Sequence, residues 1–231
     1  MSIAFVIPSM RPNRVKRVLH DLDNQTVVPN RVVLVDNSTR FVTDRSYKFK
    51  LEIVCHGKNI GTNPVWNMAL RFKENFCGIL GDDYRLEATL IEKLRYGLLL
   101  RCDGVRTGAT VPEIVQTKKF GRVIKQPFVS LDNIYPIRLG RTKGFCSAVL
   151  MTREVAHAIP LIPKCFKIFF GDNWIGYHIT HTLKLGFIQI KPCFVYHTPG
   201  PDNVSVSLNY KEVLLHERGF WKDYIRSQVN R

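Results

Sequence analysis

The chain has 231 residues with 45% apolar content, enough for one domain with a core of its own and too short for two full-sized ones. Lysine and arginine number 34 against 19 aspartates and glutamates, a formal net charge of +15, which points to anionic partners: nucleic acid, an anionic membrane surface or an acidic substrate. No apolar run reaches the roughly 18 residues of a membrane span, and the opening Met-Ser-Ile-Ala-Phe-Val-Ile-Pro lacks the basic start and small-residue cleavage site of a signal peptide.

Residues 3–7 form an apolar run of strand length, closed by Pro8-Ser9. Val15, Val18, Leu19 and Leu22 then recur at helical spacing over 13–22, with Asn13 as the N-cap. A second buried strand covers 32–35 and runs into Asp36, and a third covers 51–54. Asn63-Pro64 opens a helix reaching about residue 73, with proline in its first turn. The run 77–80 is a fourth strand that ends at Gly81-Asp82-Asp83, and a helix over 87–100 follows. The stretch 117–143 holds Lys118, Lys119, Arg122, Lys125, Arg138, Arg141 and Lys143 against a single acid, Asp132. A strand over 145–151 leads into a helix at 152–158. Gly171-Asp172-Asn173-Trp174 begins a helix to about residue 185, and a late strand over 187–196 ends at His197. A turn at 198–201 precedes a terminal helix over 208–227.

This order predicts an α/β sheet, mainly parallel, flanked by helices, because its first strands are apolar throughout. Ligands of such sheets bind beyond the carboxyl ends of the strands, and Ser9, Asp36 and the Asp82–Asp83 pair all fall there. Two adjacent carboxylates at a strand end repel one another unless a cation joins them. A hard cation such as Mg²⁺ or Mn²⁺ would hold them and bridge a diphosphate; the plainer reading of Gly-Asp-Asp is a turn. The six cysteines, at 55, 77, 102, 146, 165 and 193, form no Cys-x-x-Cys pair and read as reduced, small apolar side chains of a cytoplasmic protein.

Four segments occur in order: Ala-Phe-Val-Ile-Pro-Ser at 4–9, Val-Val-Leu-Val-Asp-Asn-Ser at 32–38, Asn-Ile-Gly-Thr-Asn-Pro-Val-Trp-Asn-Met-Ala at 59–69 and Gly-Ile-Leu-Gly-Asp-Asp at 78–83. Together with 144–153, 170–173 and Val-Tyr-His at 195–197, they resemble glycosyltransferase family 2 and related GT-A enzymes. The resemblance implies one GT-A domain over 1–231, with residues 1–100 as the nucleotide-sugar half and 101–231 as the acceptor half. It implies that Pro8 and Ser9 line the nucleotide pocket, that Asp36 bonds the uracil or ribose, and that Asn59 and Gly61 border the nucleotide. Asp82 would approach the ribose or sugar, while Asp83 and His197 would ligate Mn²⁺ or Mg²⁺. The family's Asp-x-Asp has Gly81 at its first position here, which leaves the metal fewer protein ligands. Asp172 would be the general base of an inverting transfer from a UDP-sugar; as a residue it also suits an ordinary helix start. Trp174 either stacks on a sugar or base or packs in the core.

The acceptor rests on charge. Arg218, Lys222 and Arg226 fall on one face of the terminal helix with Phe220, Trp221 and Tyr224 between them. Basic groups interleaved with aromatics suit DNA, as do Lys118, Lys119 and Arg122; a solvated face with its aromatics on the core is the other reading. The favoured acceptor is hydroxymethylpyrimidine in DNA, modified by a bacteriophage enzyme in the host cytoplasm. The rivals are a family 2 transferase of cell-surface polysaccharide or lipid-linked glycan, and a non-catalytic nucleic-acid-binding α/β module.

Overall fold

The computed structural model describes residues 1–116, 131–139, 148–197 and 210–229. The basic positions Lys118, Lys119, Arg122, Lys125, Arg141 and Lys143, the start of the expected strand at 145, and the expected turn at 198–201 lie outside the described residues. Ten strands and six α-helices alternate through the rest: β1 (Ile3–Ser9), α1 (Pro12–Asp23), β2 (Arg31–Asp36), β3 (Lys50–Val54), α2 (Asn63–Ala69), β4 (Phe76–Leu80), β5 (Tyr84–Leu86), α3 (Leu90–Gly97), β6 (Arg101–Cys102), β7 (Val105–Gln116), β8 (Tyr135–Arg138), β9 (Ala148–Thr152), α4 (Arg153–Ala158), α5 (Gly171–Tyr177), β10 (Gly186–His197) and α6 (Tyr210–Val229).

One sheet runs β3-β2-β1-β4-β9-β7-β10-β5. Its first four strands are parallel, as their apolar runs predict. Beyond them the sheet is mixed: β9 lies antiparallel to both β4 and β7, and β10 runs parallel to β7 but antiparallel to β5 and β8. Two antiparallel steps restore the direction, so β10 ends at the same edge as β1, β2 and β4.

Side-chain alternation divides the core between the two faces. Ala4, Val6, Val33, Val35, Cys77 and Ile79 face α2, α4 and α5, while Phe5, Ile7, Val32, Leu34 and Leu80 face α1 and α3. Each buried valine, leucine, isoleucine or phenylalanine among them contributes about 1.5–3 kcal/mol. Packing between neighbouring strands is close at Gly78, the register partner of Phe5, where a Cβ would stand 2.2 Å from the Phe5 ring.

Several expected boundaries move. Helix α1 begins at Pro12 with Arg11 as its N-cap residue, and Asn13 lies inside the helix; proline's fixed φ suits the first helical position. Helix α2 stops at Ala69 rather than about 73. Residues 84–86, between the acidic pair and α3, are a short strand that pairs with β10. Buried Asp21 of α1 pins that strand, accepting from Arg85 Nε at 2.7 Å and from the Leu86 amide at 3.0 Å. Cys77 and Cys193 are buried and unlinked, as apolar fillers, and burial pushes the Cys77 thiol up to about 12.

Candidate functional site

The carboxyl ends of β1, β2 and β4 converge on an open cleft of about 670 Å³, lined among others by Pro8, Ser9, Arg11, Asn37, Asn59, Gly61, Asp82 and Asp83, and the end of β10 reaches Asp83 through His197. Strand geometry explains the convergence. Ser9 and Asp36 are register partners at the ends of β1 and β2, and β4 delivers Asp82 and Asp83 one turn beyond its last residue. His197 pairs with Tyr84 across β5 and β10, which sets it beside Asp83.

Asp82 is almost fully buried. Ser9 Oγ donates to its Oδ2 at 2.8 Å, Arg11 Nε donates to the same oxygen at 3.1 Å, and Arg11 Nη2 donates to Oδ1. Burial pushes the Asp82 carboxyl upward, and the Arg11 guanidinium opposes that without cancelling it. Arg11 also reaches Asp83, its Nη2 standing 3.3 Å from Oδ2. Arg11 is a residue of the candidate site that sequence reasoning missed. Its one signal is a cation two residues past the strand-end Ser9, in a chain whose acidic pair needs neutralising.

Asp83 Oδ2 lies 3.1 Å from His197 Nε2, and His197 Nδ1 lies 3.1 Å from Gln116 Oε1. With the Nδ1 proton donated to Gln116, Nε2 reaches the carboxylate either by donating a second ring proton or across a cation. Two electron-rich atoms at this spacing need a proton or a cation between them. Burial raises the Asp83 carboxyl, but the His197 hydrogen bond and the Arg11 charge outweigh it and hold it below the usual range.

These residues fit a divalent ion. Two adjacent donors of a six-coordinate ion, each about 2.1 Å from the metal, stand about 3 Å apart, close to the spacing of Asp83 and His197. The Gln116 contact orients the imidazole from behind, as partners of ligating histidines do. No group of three or more His, Cys, Asp or Glu gathers among the described residues; of these residues, Asp83 and His197 are the pair that could contribute to such a shell.

The other wall is backbone-built. The Asn37 amide donates to Ser9 O at 2.8 Å, and Asn37 Oδ1 accepts from the Ile60 amide at 3.2 Å. Asn59 Oδ1 accepts from the Gly61 amide at 2.9 Å. Gly61 has φ +88°, and a Cβ there would stand 2.5 Å from Lys167 O, so glycine is required by both conformation and approach. Asp36 stands behind this wall. Its carboxylate accepts from the Ser38 hydroxyl at 2.6 Å and from the Ser38 and Phe41 amides at 2.9 and 2.8 Å. Burial pushes its pKa up, and these bonds more than offset the push and hold it low. Asn37, not anticipated from the sequence, lines the cleft beside it.

Asp172 lies in the first turn of α5, its Oδ1 accepting from the Asn173 amide at 2.9 Å. It does not line the cleft with the acidic pair. It lines an adjoining hollow of about 810 Å³ with Thr62, Trp66, Ile168, Phe169, Phe170, Asn173 and Leu214. Thr62 and Ile168 border both spaces.

The aromatic reading of the terminal helix is corrected. Trp221 and Tyr224 pack inward against Phe166, Phe170 and Trp174 at centroid distances of 4.6–6.4 Å. Trp174 is itself buried in that cluster, its Nε1 donating to Pro160 O at 2.9 Å. Burying aromatic area outcompetes presenting it to water. Arg218, Lys222, Arg226 and Phe220 are exposed.

No protein-family model matches the sequence, and no curated protein does. Solved structures are similar in fold. GalNAc-T7 with UDP, GalNAc and Mn²⁺ superposes with TM-score 0.65 at 14% identity, over 96% of this chain and 49% of that one. TarS residues 1–349 from S. aureus in complex with UDP gives 0.57 at 15% identity, over 87% and 61%. The mannosyltransferase PcManGT from Pyrobaculum calidifontis with GDP-Man and Mn²⁺ gives 0.56 at 14% identity, over 88% and 59%. This chain has the mixed α/β sheet architecture of the GT-A fold. It spans about half to three fifths of the length of those three chains.

Proposed function

We propose that the chain is a divalent-metal-dependent glycosyltransferase, moving a sugar from a nucleotide-sugar, a UDP-sugar by preference, to an acceptor hydroxyl with inversion. The observation that carries this reading is the Asp83–His197 pair at the carboxyl edge of the sheet, with Asp83 and its neighbour Asp82 lining an open cleft. The UDP and Mn²⁺ in GalNAc-T7, and the GDP-Man and Mn²⁺ in the mannosyltransferase, support the donor class and the ion.

Asp83 and His197 hold the ion; Asp82, neutralised by Arg11 and oriented by Ser9, faces the ribose or sugar. Pro8, Ser9, Asn59 and Gly61 border the nucleotide, and Asp36 serves that end by fixing the loop that carries Asn37. When bound, Mn²⁺ or Mg²⁺ neutralises the negative charge of the departing diphosphate. Asp172 takes the proton of the acceptor hydroxyl. The acceptor oxygen bonds to the anomeric carbon as the bond to the diphosphate oxygen breaks, and the nucleoside diphosphate leaves with that electron pair.

For the acceptor we favour a hydroxymethylpyrimidine of DNA. The net charge of +15 supports it, as does the exposed row of Arg218, Lys222 and Arg226; a helix placed this way presents cations to phosphate without needing its aromatics. A transfer assay with a panel of UDP-sugars and hydroxymethylated DNA, read by the mass shift of the nucleosides, tests the whole reading. Asp83→Ala is expected to abolish Mn²⁺-dependent UDP binding in calorimetry while the protein stays folded. Unchanged UDP binding by that variant removes Asp83 from the site.

A further inference from the structure

The wall between the cleft and the adjoining hollow is the segment 167–169, and its anchor is far away in sequence. Glu217, on α6, is 1% exposed in a helix whose neighbouring side chains face water. Its Oε1 accepts from the Lys167 amide at 2.9 Å and the Ile168 amide at 3.2 Å, and its Oε2 accepts from the Phe169 amide at 2.7 Å. Three consecutive backbone amides thus converge on one carboxylate. The same segment is tied to the nucleotide side, because Lys167 O accepts from the Thr62 and Asn63 amides at 2.9 and 3.0 Å. Asn63 Nδ2 adds a bond to Phe169 O at 2.7 Å. Ile168 reaches both spaces, and Phe169 lines the hollow that holds Asp172.

We infer that Glu217 is a positioning residue: from the terminal helix it fixes the 167–169 wall, and through that wall the shape of the nucleotide cleft. The inference rests on the nucleotide-sugar reading above. The chemistry favours a carboxylate for this duty. Two ionised oxygens offer about four acceptor sites and no donor, which suits three converging amides. A charged acceptor also makes stronger bonds than a neutral one. Glutamine at this place offers one oxygen, and its amino group would confront an amide proton.

The test compares the full-length wild type with Glu217→Gln, Glu217→Asp and, as a control on the same helix, Glu212→Gln, an exposed acid. Two quantities are measured: amide hydrogen exchange along the chain, and calorimetric affinity for UDP with Mn²⁺. In Glu217→Gln, exchange at 167–169 should quicken while the β1 and β4 amides keep their protection. UDP affinity should weaken about tenfold, the equivalent of one lost hydrogen bond to a charged acceptor. Glu217→Asp, which keeps the carboxylate one methylene shorter, should lie between glutamine and wild type, and Glu212→Gln should match wild type. Unchanged exchange at 167–169, or faster exchange with unchanged UDP affinity, overturns the inference and leaves the transferase reading intact. Wild type that binds neither UDP nor GDP with Mn²⁺ overturns both. Global unfolding of both Glu217 variants also overturns it, since the carboxylate would then serve the fold as a whole.

Discussion

Replacing Arg11 by methionine keeps an unbranched apolar stem and removes the guanidinium with its charge. In the wild type the guanidinium gives Asp82 two hydrogen bonds and stands 3.3 Å from Asp83, with 17% of the arginine side chain and 5% of the Asp82 side chain exposed. The variant leaves Ser9 Oγ as a remaining partner of Asp82, beside a second carboxylate. Breaking a buried ion pair from one side costs about 3–5 kcal/mol, and the residual exposure of Arg11 puts this case near about 3. For a chain of this length that corresponds to a melting temperature lower by about 6–12 °C. A divalent ion that binds the folded site should restore part of the loss, because a ligand of the native state alone raises stability. Thermal unfolding with and without millimolar Mn²⁺ reads both effects, and Mn²⁺ should raise the melting point of the variant more than that of the wild type. A variant melting within about 2 °C of wild type in metal-free buffer would refute the claim that Arg11 neutralises the pair.

Gly61→Ala forces a Cβ to 2.5 Å from Lys167 O at φ +88° and should cost about 1–3 kcal/mol in chemical denaturation. Asp172→Asn should lower kcat about 10²–10⁴-fold in the transfer assay and leave calorimetric UDP affinity unchanged. Burial holds the His178 imidazole down at about 4, against an ordinary value of 6.5. Between those two values the unfolded chain takes up a proton that the folded one refuses, so stability falls as the pH drops from 6.5 to 4. Urea melts across that window should show this slope, and His178→Asn should lessen it.

The strands and the acidic pair were legible because their signals are local. β1, β2 and β4 are unbroken apolar runs, and Asp82–Asp83 directly follows one of them. His197 was legible only through the resemblance, since its meeting with Asp83 depends on an antiparallel pairing of strands more than a hundred residues apart. β7 carries a glycine and a proline that interrupt its alternation of apolar and polar residues, and neither the strand nor Gln116 at its end was anticipated. Arg11 resembled any surface cation because its partners lie 71 and 72 residues away. Glu217 resembled a solvated acid in a charged helix for the same reason. On that helix Trp221 and Tyr224 showed the pattern of a binding face, and their partial burial follows from aromatic partners on α5 and the segment before it.

Ile168 and Thr62 border both basins and so stand on the divide between them. Trimming that divider to glycine or alanine would merge the basins into a single trough and admit a bulkier or branched molecule. Every carboxylate would remain where it is. In a scaffold arranged like this, the range of compounds handled can drift by changes at one ridge while the reacting groups stay constant.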